Sequence, residues 1–330
     1  DKVIIPAIYS FLQQDYPREL YDIIVISDQM QESTNEALRQ LPVRLLIADY
    51  TDSSKAKAMS LAMNATADIP YDAVVIMDAD NIAGTSFLSE LNPVFQSGAR
   101  AVQAHRTAKN TNTDIAVLDA ASEEINNSIF RSGHIALGLS SALIGSGMAL
   151  EACWFRQHIH LLETAGEDKE MEALLLKQRI HIEYLEHVYV KDEKTQKKEG
   201  IKNQRKRWIA AQFDSLVRTL PDFPKELLRG NIDYCDKVFQ WTLLPRIILI
   251  FCTFFFTILV TLVSPYSSIK WWILAFALFL ALFTAIPGHL LNKQLLRAIF
   301  QLPSLLLGIA SNLFKLKGVN KKFIHTEHGN

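Results

Sequence analysis

The stretch Ala73-Val74-Val75-Ile76-Met77-Asp78-Ala79-Asp80-Asn81 contains a short apolar run that ends on two carboxylates. A β-branched run of this kind, closed by polar residues, predicts a buried strand that ends in a loop. Asp78 and Asp80 are separated by one residue, so both leave the end of the strand together. Two such carboxylates can share a divalent cation, because Mg²⁺ is commonly held by one or two carboxylates together with substrate phosphates. Taken alone, the pair also fits a solvent-exposed turn.

Other motifs accompany this pair along the chain. A second strand-like run, Tyr21–Ser27, ends on Asp28, and Lys55 opens a helix-like run between the two strands. Further along come Gly145-Ser146-Gly147-Met148, Gly166-Glu167-Asp168 and Gln204-Arg205-Lys206-Arg207-Trp208. The alternation of strand-like and helix-like segments through Asp80 predicts an open, mostly parallel sheet with helices on both faces. Ligands of such sheets bind beyond the carboxyl ends of the strands.

In this order the motifs resemble the membrane-bound family 2 glycosyltransferases, and most closely the branch of cellulose, chitin, hyaluronan and poly-N-acetylglucosamine synthases. The resemblance covers nearly the whole chain. It implies a GT-A fold in residues 1–235, an α/β domain with a doubly wound, mostly parallel sheet, followed by C-terminal transmembrane helices. Residues 1–14 resemble the helix that follows the family's first strand. The resemblance therefore implies that this strand precedes Asp1.

The resemblance also implies how the donor is bound. Asp28 would contact uridine, Lys55 would contact the diphosphate, and Asp78 and Asp80 would contact the nucleotide and the metal, with Asp80 as a direct ligand. The implied donor is a nucleotide sugar, with uridine diphosphate as its nucleotide, and the implied cofactor is Mg²⁺ or Mn²⁺. Two alternatives remain from the residues alone. Asp28 could cap the next helix, where Asp is favoured, and Lys55 could be a solvent-exposed cation.

Asp168 is the candidate general base, and Glu167 would support it. An inverting transfer needs a carboxylate that takes the proton of the acceptor hydroxyl as it attacks. The alternative is a plain helix start, where acidic side chains are stabilising. The resemblance places the remaining motif residues at the acceptor and the departing diphosphate: Gly147, Gln204, Arg205, Arg207 and Trp208. A simple tight turn and a basic helix on the membrane surface are the alternatives for these two motifs.

Length and composition agree with this interpretation. The chain has 330 residues and a formal net charge of −1, which argues against a dedicated nucleic-acid-binding protein, since those normally carry a basic excess. Three cysteines without C-x-x-C spacing fit a reducing compartment. The N-terminal apolar run is too short for a signal peptide, so none is expected.

Hydropathy changes near residue 235. Ile247–Val263 and Trp271–Pro287 are apolar runs that approach the roughly 20 residues needed to cross a bilayer, and they predict a transmembrane hairpin within residues 236–292. The loop between them would extend from Ser264 to Lys270. Aromatic residues flank both runs, as at membrane interfaces. Two buried core helices are the alternative.

Residues 293–330 are predicted to form an interfacial helix and a basic tail. Polar residues recur along Gln294–Lys315 every three or four positions, which is typical of a helix lying in the membrane interface. A third membrane span is the alternative. Because positively charged segments stay on the cytoplasmic side, the lysines of the tail predict that the tail and the catalytic domain are cytoplasmic.

The expected function is therefore that of a membrane-anchored, inverting glycosyltransferase. It would move a sugar from a nucleotide sugar to a polysaccharide or a lipid-linked acceptor at the cytoplasmic face, with membrane lipids as its other partners. A single-transfer glycolipid enzyme and a non-catalytic, membrane-tethered subunit that binds nucleotide sugars are the alternatives.

Overall fold

The computed structural model describes residues 1–196, 198–303 and 306. Its first part alternates helices and strands: α1 (Ile4–Leu12), β1 (Ile24–Asp28), α2 (Glu32–Arg39), β2 (Arg44–Ala48), α3 (Lys55–Ala65) and β3 (Ala73–Ile76). The prediction of a helix at the start of the chain is confirmed. β1 and β2 pair in parallel, with Asp28 opposite Ala48. Ile8, Val25 and Leu38 form a small core beneath this pair.

A second, larger sheet follows. Its elements, with the helices between them, are β4 (Ile82–Ala83), α4 (Phe87–Gln96), β5 (Ala101–Ala108), α5 (Asp114–Asn127), a π-helical turn (Ser128–Ser132), α6 (Gly133–Ala136), β6 (Met148–Glu151), α7 (Ala152–His158), α8 (Glu167–Lys177) and β7 (Ile182–Asp192). The strand order is β3-β6-β5-β7-β4. β5 and β7 run parallel, and the other neighbouring pairs run antiparallel.

The α/β class is confirmed, but the prediction of a mostly parallel sheet is wrong, since the larger sheet is mixed. The reason lies in the turn before β6. Gly145 and Gly147 both have positive φ values, 84° and 62°, a conformation that glycine adopts without steric cost. This turn lets β6 run antiparallel between β3 and β5. The alternation on which the prediction rested ends at Asp80 and carries no information about β6.

Helices cover both faces of the larger sheet, as expected. On one face Leu150 and Ile182 pack with Met63 of α3 and Leu175 of α8. On the other face Ala149, Val102 and Val190 pack with Phe87 and Leu91 of α4. Leu150 and Ala149 are neighbours in sequence yet face opposite cores, which is the period of two that a strand imposes. Every motif at the carboxyl ends of these strands is therefore held between two packed layers.

The C-terminal part is helical, with α9 (Lys198–Thr219), α10 (Phe223–Leu228), α11 (Ile232–Thr242), α12 (Arg246–Val263), α13 (Pro265–Thr284) and α14 (Lys293–Ile299). Helix α11 continues past residue 235, where hydropathy changes. Tyr234 and Val238 on this helix join the same core as α8, and Trp241 is also buried. Helix α11 therefore packs on the same core as α8.

Helices α12 and α13 are long and apolar enough to cross a membrane, judged by length and composition. Only 11% of the most apolar window of each helix is buried inside the protein, so neither is an ordinary core helix. They contact each other, and Trp272 Nε1 donates a hydrogen bond to Thr261 Oγ1 at 3.0 Å. The prediction of a loop from Ser264 to Lys270 is wrong, because residues 265–270 belong to α13. Ser264 caps α13, whose first residue is Pro265, a residue that favours a helix start.

Helix α14 packs against α5, where Leu295 joins Val117 and Ala121. Arg297 forms an ion pair of 2.7 Å with Asp114 at the start of α5. Residues 304–305 and 307–330, which include the end of the predicted interfacial helix and the lysine-rich tail, lie outside the described residues.

Candidate functional site

The two carboxylates after β3 lie in a turn that Asn81 holds in place. The side chain of Asn81 accepts a hydrogen bond from the backbone N–H of Asp78 at 3.1 Å and donates one to Asp80 Oδ1 at 3.2 Å. Its own backbone N–H donates to the carbonyl of Asp78 at 3.1 Å. Asn81 is completely buried and Asp80 is 7% exposed. The turn is therefore fixed by hydrogen bonds, with Asp80 buried and Asp78 partly exposed.

Lys55 lies at the centre of the candidate site. It is the first residue of α3, after Ser54, whose side chain caps that helix. Lys55 Nζ donates to Asp78 Oδ1 at 2.5 Å and to the carbonyl of Gly145 at 2.6 Å, and it lies 3.8 Å from Glu167 Oε1. Lys55 is thus not the solvent-exposed cation of the alternative interpretation.

Lys55 and the carboxylates around it stabilise one another in their charged forms. Burial alone would lower the pKa of Lys55, because it disfavours the charged form. The negative charges of Asp78, Glu167 and Asp168 have the larger effect, so the pKa of Lys55 is raised. Burial would raise the pKa of Asp78, yet Lys55 and Arg106 keep it below its usual value. Lys55 and Asp78 therefore stay an ion pair over the whole neutral range.

The Gly145-Ser146-Gly147-Met148 turn is held by two side chains of β5 that sequence reasoning missed. Gln103 is completely buried; its Nε2 donates to the carbonyls of Ser146 and Gly147 at 3.0 and 3.1 Å. Arg106 donates to Ser146 Oγ at 3.2 Å. A Cβ atom on Gly147 would lie 3.2 Å from Val190 Cγ2. Strand β7 therefore leaves little room for a side chain at this position of the turn. The sequence analysis assigned no strand to Ala101–Ala108, so Gln103 and Arg106 could not be placed beside this turn.

Glu167 and Asp168 open helix α8, next to this turn. Burial, with the charge of Lys55 opposing and that of Asp168 adding to it, raises the pKa of Glu167 to about 7. Asp168 is more accessible, with 19% of its side chain exposed. A Cβ atom on Gly145 would lie 3.8 Å from Lys55 Nζ and 3.9 Å from Asp168 Oδ2. The candidate base, the lysine and the glycine turn therefore meet, although the two carboxylates also form an ordinary acidic helix start.

Gly166 explains how α8 is placed. A Cβ atom on this residue would lie 2.7 Å from the Cβ atom of Ala211 on α9. Real Cβ atoms do not approach so closely, and contacting carbons normally lie about 3.5–4.0 Å apart. Only glycine therefore allows the start of α8 to lie directly on α9, the helix that carries Gln204-Arg205-Lys206-Arg207-Trp208.

The two arginines of this last motif face different surroundings. Burial lowers the pKa of Arg207, while the charges of Glu167 and Asp78 oppose that shift. Arg205 instead donates to Asp119 Oδ1 at 2.9 Å, and its Cζ lies 4.6 Å from the centre of the Trp208 ring. Gln204 Oε1 is buried and accepts no hydrogen bond from the described residues.

Asp28 lies at the carboxyl end of β1, in the smaller sheet. Its Oδ1 accepts a hydrogen bond of 2.8 Å from Ser53 Oγ. The next helix, α2, has Gln31 at its N-cap position, so Asp28 is not a helix cap. No described contact links Asp28 to Lys55 or to the D-x-D turn, and its role at the nucleotide remains a prediction.

A further buried network adjoins the D-x-D turn. Asn81 also donates to Asp192 Oδ1 at 3.2 Å, and Lys194 Nζ lies 2.8 Å from Asp192 Oδ2 and contacts Glu123. Burial, opposed by Arg106 but reinforced by the charge of Asp80, raises the pKa of Asp192 to about 7. Burial lowers the pKa of Lys194 to about 7. Sequence reasoning missed both residues because Lys194 lies within a lysine-rich segment that suggests an exposed surface.

The donor set fits a hard divalent cation that shares its coordination with a substrate. Within the described ranges, no three His, Cys, Asp or Glu side chains converge to hold a metal by themselves. Asp80 is a buried carboxylate beside Asp192, and Asp78 already pairs with Lys55. One or two carboxylates completed by diphosphate oxygens is a common arrangement for Mg²⁺.

Comparison with solved structures finds several glycosyltransferases. S. aureus TarS 1-349 in complex with UDP-GlcNAc aligns over 97% of this chain and 87% of its own, with 12% identity and a TM-score of 0.49. The complex of TarS 1-349 with UDP aligns over 66% of this chain, with 12% identity and a TM-score of 0.43, and this chain covers only 62% of it. Glucosyl-3-phosphoglycerate synthase from Mycobacterium tuberculosis, in complex with Mn²⁺, UDP-Glc and phosphoglyceric acid, aligns over 64% of this chain and 75% of its own, with 15% identity and a TM-score of 0.44.

No curated protein matches this chain. The glycosyltransferase-like family 2 profile, in contrast, matches residues 1–211, which is more than half of the chain. That range contains the D-x-D turn, the glycine turn, Asp168 and the motif on α9. The α/β part with its mixed sheet is accordingly a GT-A-like glycosyltransferase fold, and the chain belongs to glycosyltransferase-like family 2.

Proposed function

We propose that this chain is a membrane-anchored, inverting glycosyltransferase. It transfers a sugar from a uridine diphosphate sugar to a polysaccharide or a lipid-linked acceptor at the cytoplasmic face of a membrane. One observation carries the proposal. Lys55 joins Asp78 of the D-x-D turn to the carbonyl of Gly145, with Glu167 3.8 Å away and Asp168 beside them.

The cations and carboxylates around Lys55 suit the binding of a diphosphate. Lys55 pairs with Asp78, and the charges of Asp78 and Glu167 act on Arg207. Fixed positive charge stabilises a leaving group whose negative charge grows during transfer. Asp80, with Asp78, would hold Mg²⁺ or Mn²⁺ together with the diphosphate. When bound, such an ion neutralises part of the diphosphate charge. Asp28 would contact the uridine.

The acceptor side requires a base. In the proposed reaction Asp168 takes the proton of the acceptor hydroxyl while that oxygen attacks the sugar carbon opposite the diphosphate. Glu167, whose pKa is about 7 because it is buried, would tune the charge around Asp168. Trp208 would offer its aromatic surface to a sugar ring of the acceptor, and Gln204 and Gly147 would line the same side.

Membrane anchoring rests on helices α12 and α13, which contain long apolar runs and are mostly exposed on the protein surface. A contiguous apolar surface of this kind is unfavourable in water. We propose that they form the hairpin within residues 236–292, and that the basic tail keeps the glycosyltransferase domain on the cytoplasmic side.

Membranes that contain the full chain can test the proposal. They are incubated with radiolabelled UDP-glucose, UDP-N-acetylglucosamine and UDP-glucuronic acid, with Mg²⁺, with Mn²⁺ or with a chelator, and the products are sized. Incorporation that needs the metal and is lost in Asp168→Asn supports the proposal. A long product indicates a polymerase, whereas a single labelled lipid indicates the single-transfer alternative.

Other results would refute the proposal. Release of free sugar without transfer would indicate a hydrolase. Metal-dependent UDP binding without turnover of any sugar would favour the non-catalytic subunit.

A further inference from the structure

Arg205 connects two helices that are distant in sequence. Its Nη2 atom donates to Asp119 Oδ1 at 2.9 Å and to Ser122 Oγ at 3.1 Å, and both residues belong to α5. Its Cζ atom lies 4.6 Å from the centre of the Trp208 ring, one turn further along α9. The guanidinium group is therefore held by α5 on one side and lies over the indole on the other.

Asp119 and Arg205 are both largely shielded from water. The side chain of Asp119 is 5% exposed and that of Arg205 is 22% exposed. Hydrogen bonds between ionised groups are stronger than neutral ones, and removal of one partner of a buried pair leaves a charge without compensation. An Arg over the face of a Trp ring adds a cation–π attraction. The position of the indole is therefore sensitive to the charge of Asp119.

We propose that Asp119 is a positioning residue for the acceptor platform: it fixes Arg205, and Arg205 fixes the ring of Trp208. The inference rests on the proposed function, in which Trp208 contacts the acceptor. Arg205 covers one face of the indole, so that the acceptor sugar packs on the remaining accessible surface. Arg207, two residues away on α9, experiences the charges of Glu167 and Asp78, and in the proposed function it serves the donor instead.

The same face of α5 offers a matched control. Asp119, Ser122 and Asn126 are spaced so that they follow one another on one side of a helix. Asn126 contacts the guanidinium group of Arg246, the first residue of α12, and the carbonyl of Ser122 accepts from the same group at 3.3 Å. Loss of Asn126 therefore perturbs α5 and its neighbour without removing either hydrogen bond of Arg205 to α5.

The test uses the full chain in lipid nanodiscs, labelled with 5-fluorotryptophan, and Trp208→Phe assigns the ¹⁹F resonance of Trp208. Asp119→Asn and Arg205→Lys should each shift that resonance, because lysine lacks the flat group that covers the ring. Asn126→Ala should leave it in place. With chito- and cello-oligosaccharides as acceptor probes, Asp119→Asn should raise the acceptor KM by about tenfold or more, as expected for loss of a charged hydrogen bond. The donor KM should change less than about twofold, since Arg207 keeps its place.

An unmoved Trp208 resonance in folded Asp119→Asn and Arg205→Lys would overturn the inference. A shifted resonance with an unchanged acceptor KM would overturn the role in acceptor binding, while wild-type transfer in the same assay would leave the proposed function standing. If the wild-type chain transfers no sugar, the proposed function fails, and the ¹⁹F result still reports separately on the contact between Arg205 and Trp208.

Discussion

Replacement of Gly166 by Ala should displace Glu167 and Asp168, the proposed catalytic carboxylates, without altering any group proposed to take part in the reaction. The added Cβ atom would lie 2.7 Å from the Cβ atom of Ala211, about 1 Å closer than carbon atoms tolerate. The obstacle is the body of α9, which has no flexible side-chain end at this point. The start of α8, with Glu167 and Asp168, must therefore move away from α9 and Arg207.

Two magnitudes follow from this geometry. Insertion of one carbon into a packed interface costs about 1–3 kcal/mol of stability. A displacement of about 1 Å at reacting groups costs about 10²-fold in rate. We expect Gly166→Ala to remain folded in detergent, to keep its affinity for UDP within a few-fold, and to lose about 10²-fold in kcat for sugar transfer.

A compensating variant makes the prediction strict. In Gly166→Ala/Ala211→Gly the opposing Cβ atom is gone, and the next atom, Ala211 Cα, lies 3.6 Å from the new Cβ, an ordinary contact. Ala211→Gly alone should cost roughly 1 kcal/mol because glycine is unfavourable in a helix, and the double variant should recover most of the lost kcat. Gly84→Ala, where a Cβ atom meets nothing within 4 Å, is the matched control. Full activity of Gly166→Ala, or no recovery in the double variant, would refute the reasoning.

Further predictions concern the base, the metal, pH and topology. Asp168→Asn should lower turnover by about 10²–10⁴-fold with UDP affinity retained; normal turnover would exclude it as the base. Asp80→Asn should abolish the metal dependence of UDP binding measured by calorimetry, and an unchanged metal response would disprove its role as a ligand. Burial of Glu167 raises its pKa from 4.5 to about 7, so its stabilising contribution is complete below pH 4.5 and is lost as the pH rises through 7. Glu167→Gln should therefore gain up to about 3 kcal/mol in unfolding free energy relative to wild type between pH 4.5 and 8, and a constant difference across that range would contradict the shift. A cysteine at Ser267, in the first turn of α13, should react with an impermeant thiol reagent on intact cells, whereas exposed Cys153 of the α/β domain should react only after the membrane is opened; the reverse pattern would invert the topology.

Local sequence patterns were sufficient to predict that several candidate residues lie at the ends of strands and at helix starts. Asp78, Asp80 and Asp28 follow apolar runs whose strand character is local, and Glu167 begins a helix with a local acidic signal. Lys55 could be placed near the same edge, since it opens the helix between β1 and β3. Local patterns of this kind depend on neighbours within a few residues, which the sequence displays directly.

Other features depend on partners far away in the chain. The antiparallel course of β6 follows from the turn at Gly145 and Gly147, and strand pairing across such a turn has no local periodicity. Lys194 looked like one more surface lysine, and only the fold buries it against Glu123 and Asp192. The sequence did not distinguish the surroundings of the two arginines on α9. Arg205 contacts Asp119 on α5, whereas the charge of Glu167 on α8 acts on Arg207.

The balance of charge at the site argues for a divalent cation in the proposed reaction. Lys55 stands among Asp78, Glu167 and Asp168, and Asp192 lies close enough to Asp80 and Asp78 for their charges to raise its pKa. Other cations surround these carboxylates, but most of them already pair with one: Arg106 with Glu123, Lys169 with Asp168, and Lys194 with Glu123 and Asp192. A nucleoside diphosphate would bring further negative charge, and like charges at close range repel strongly where water is excluded. Because these cations already neutralise carboxylates of the protein, additional positive charge favours binding of such a donor. Mg²⁺ or Mn²⁺ at Asp80 would supply it, since these ions favour carboxylate and phosphate oxygens.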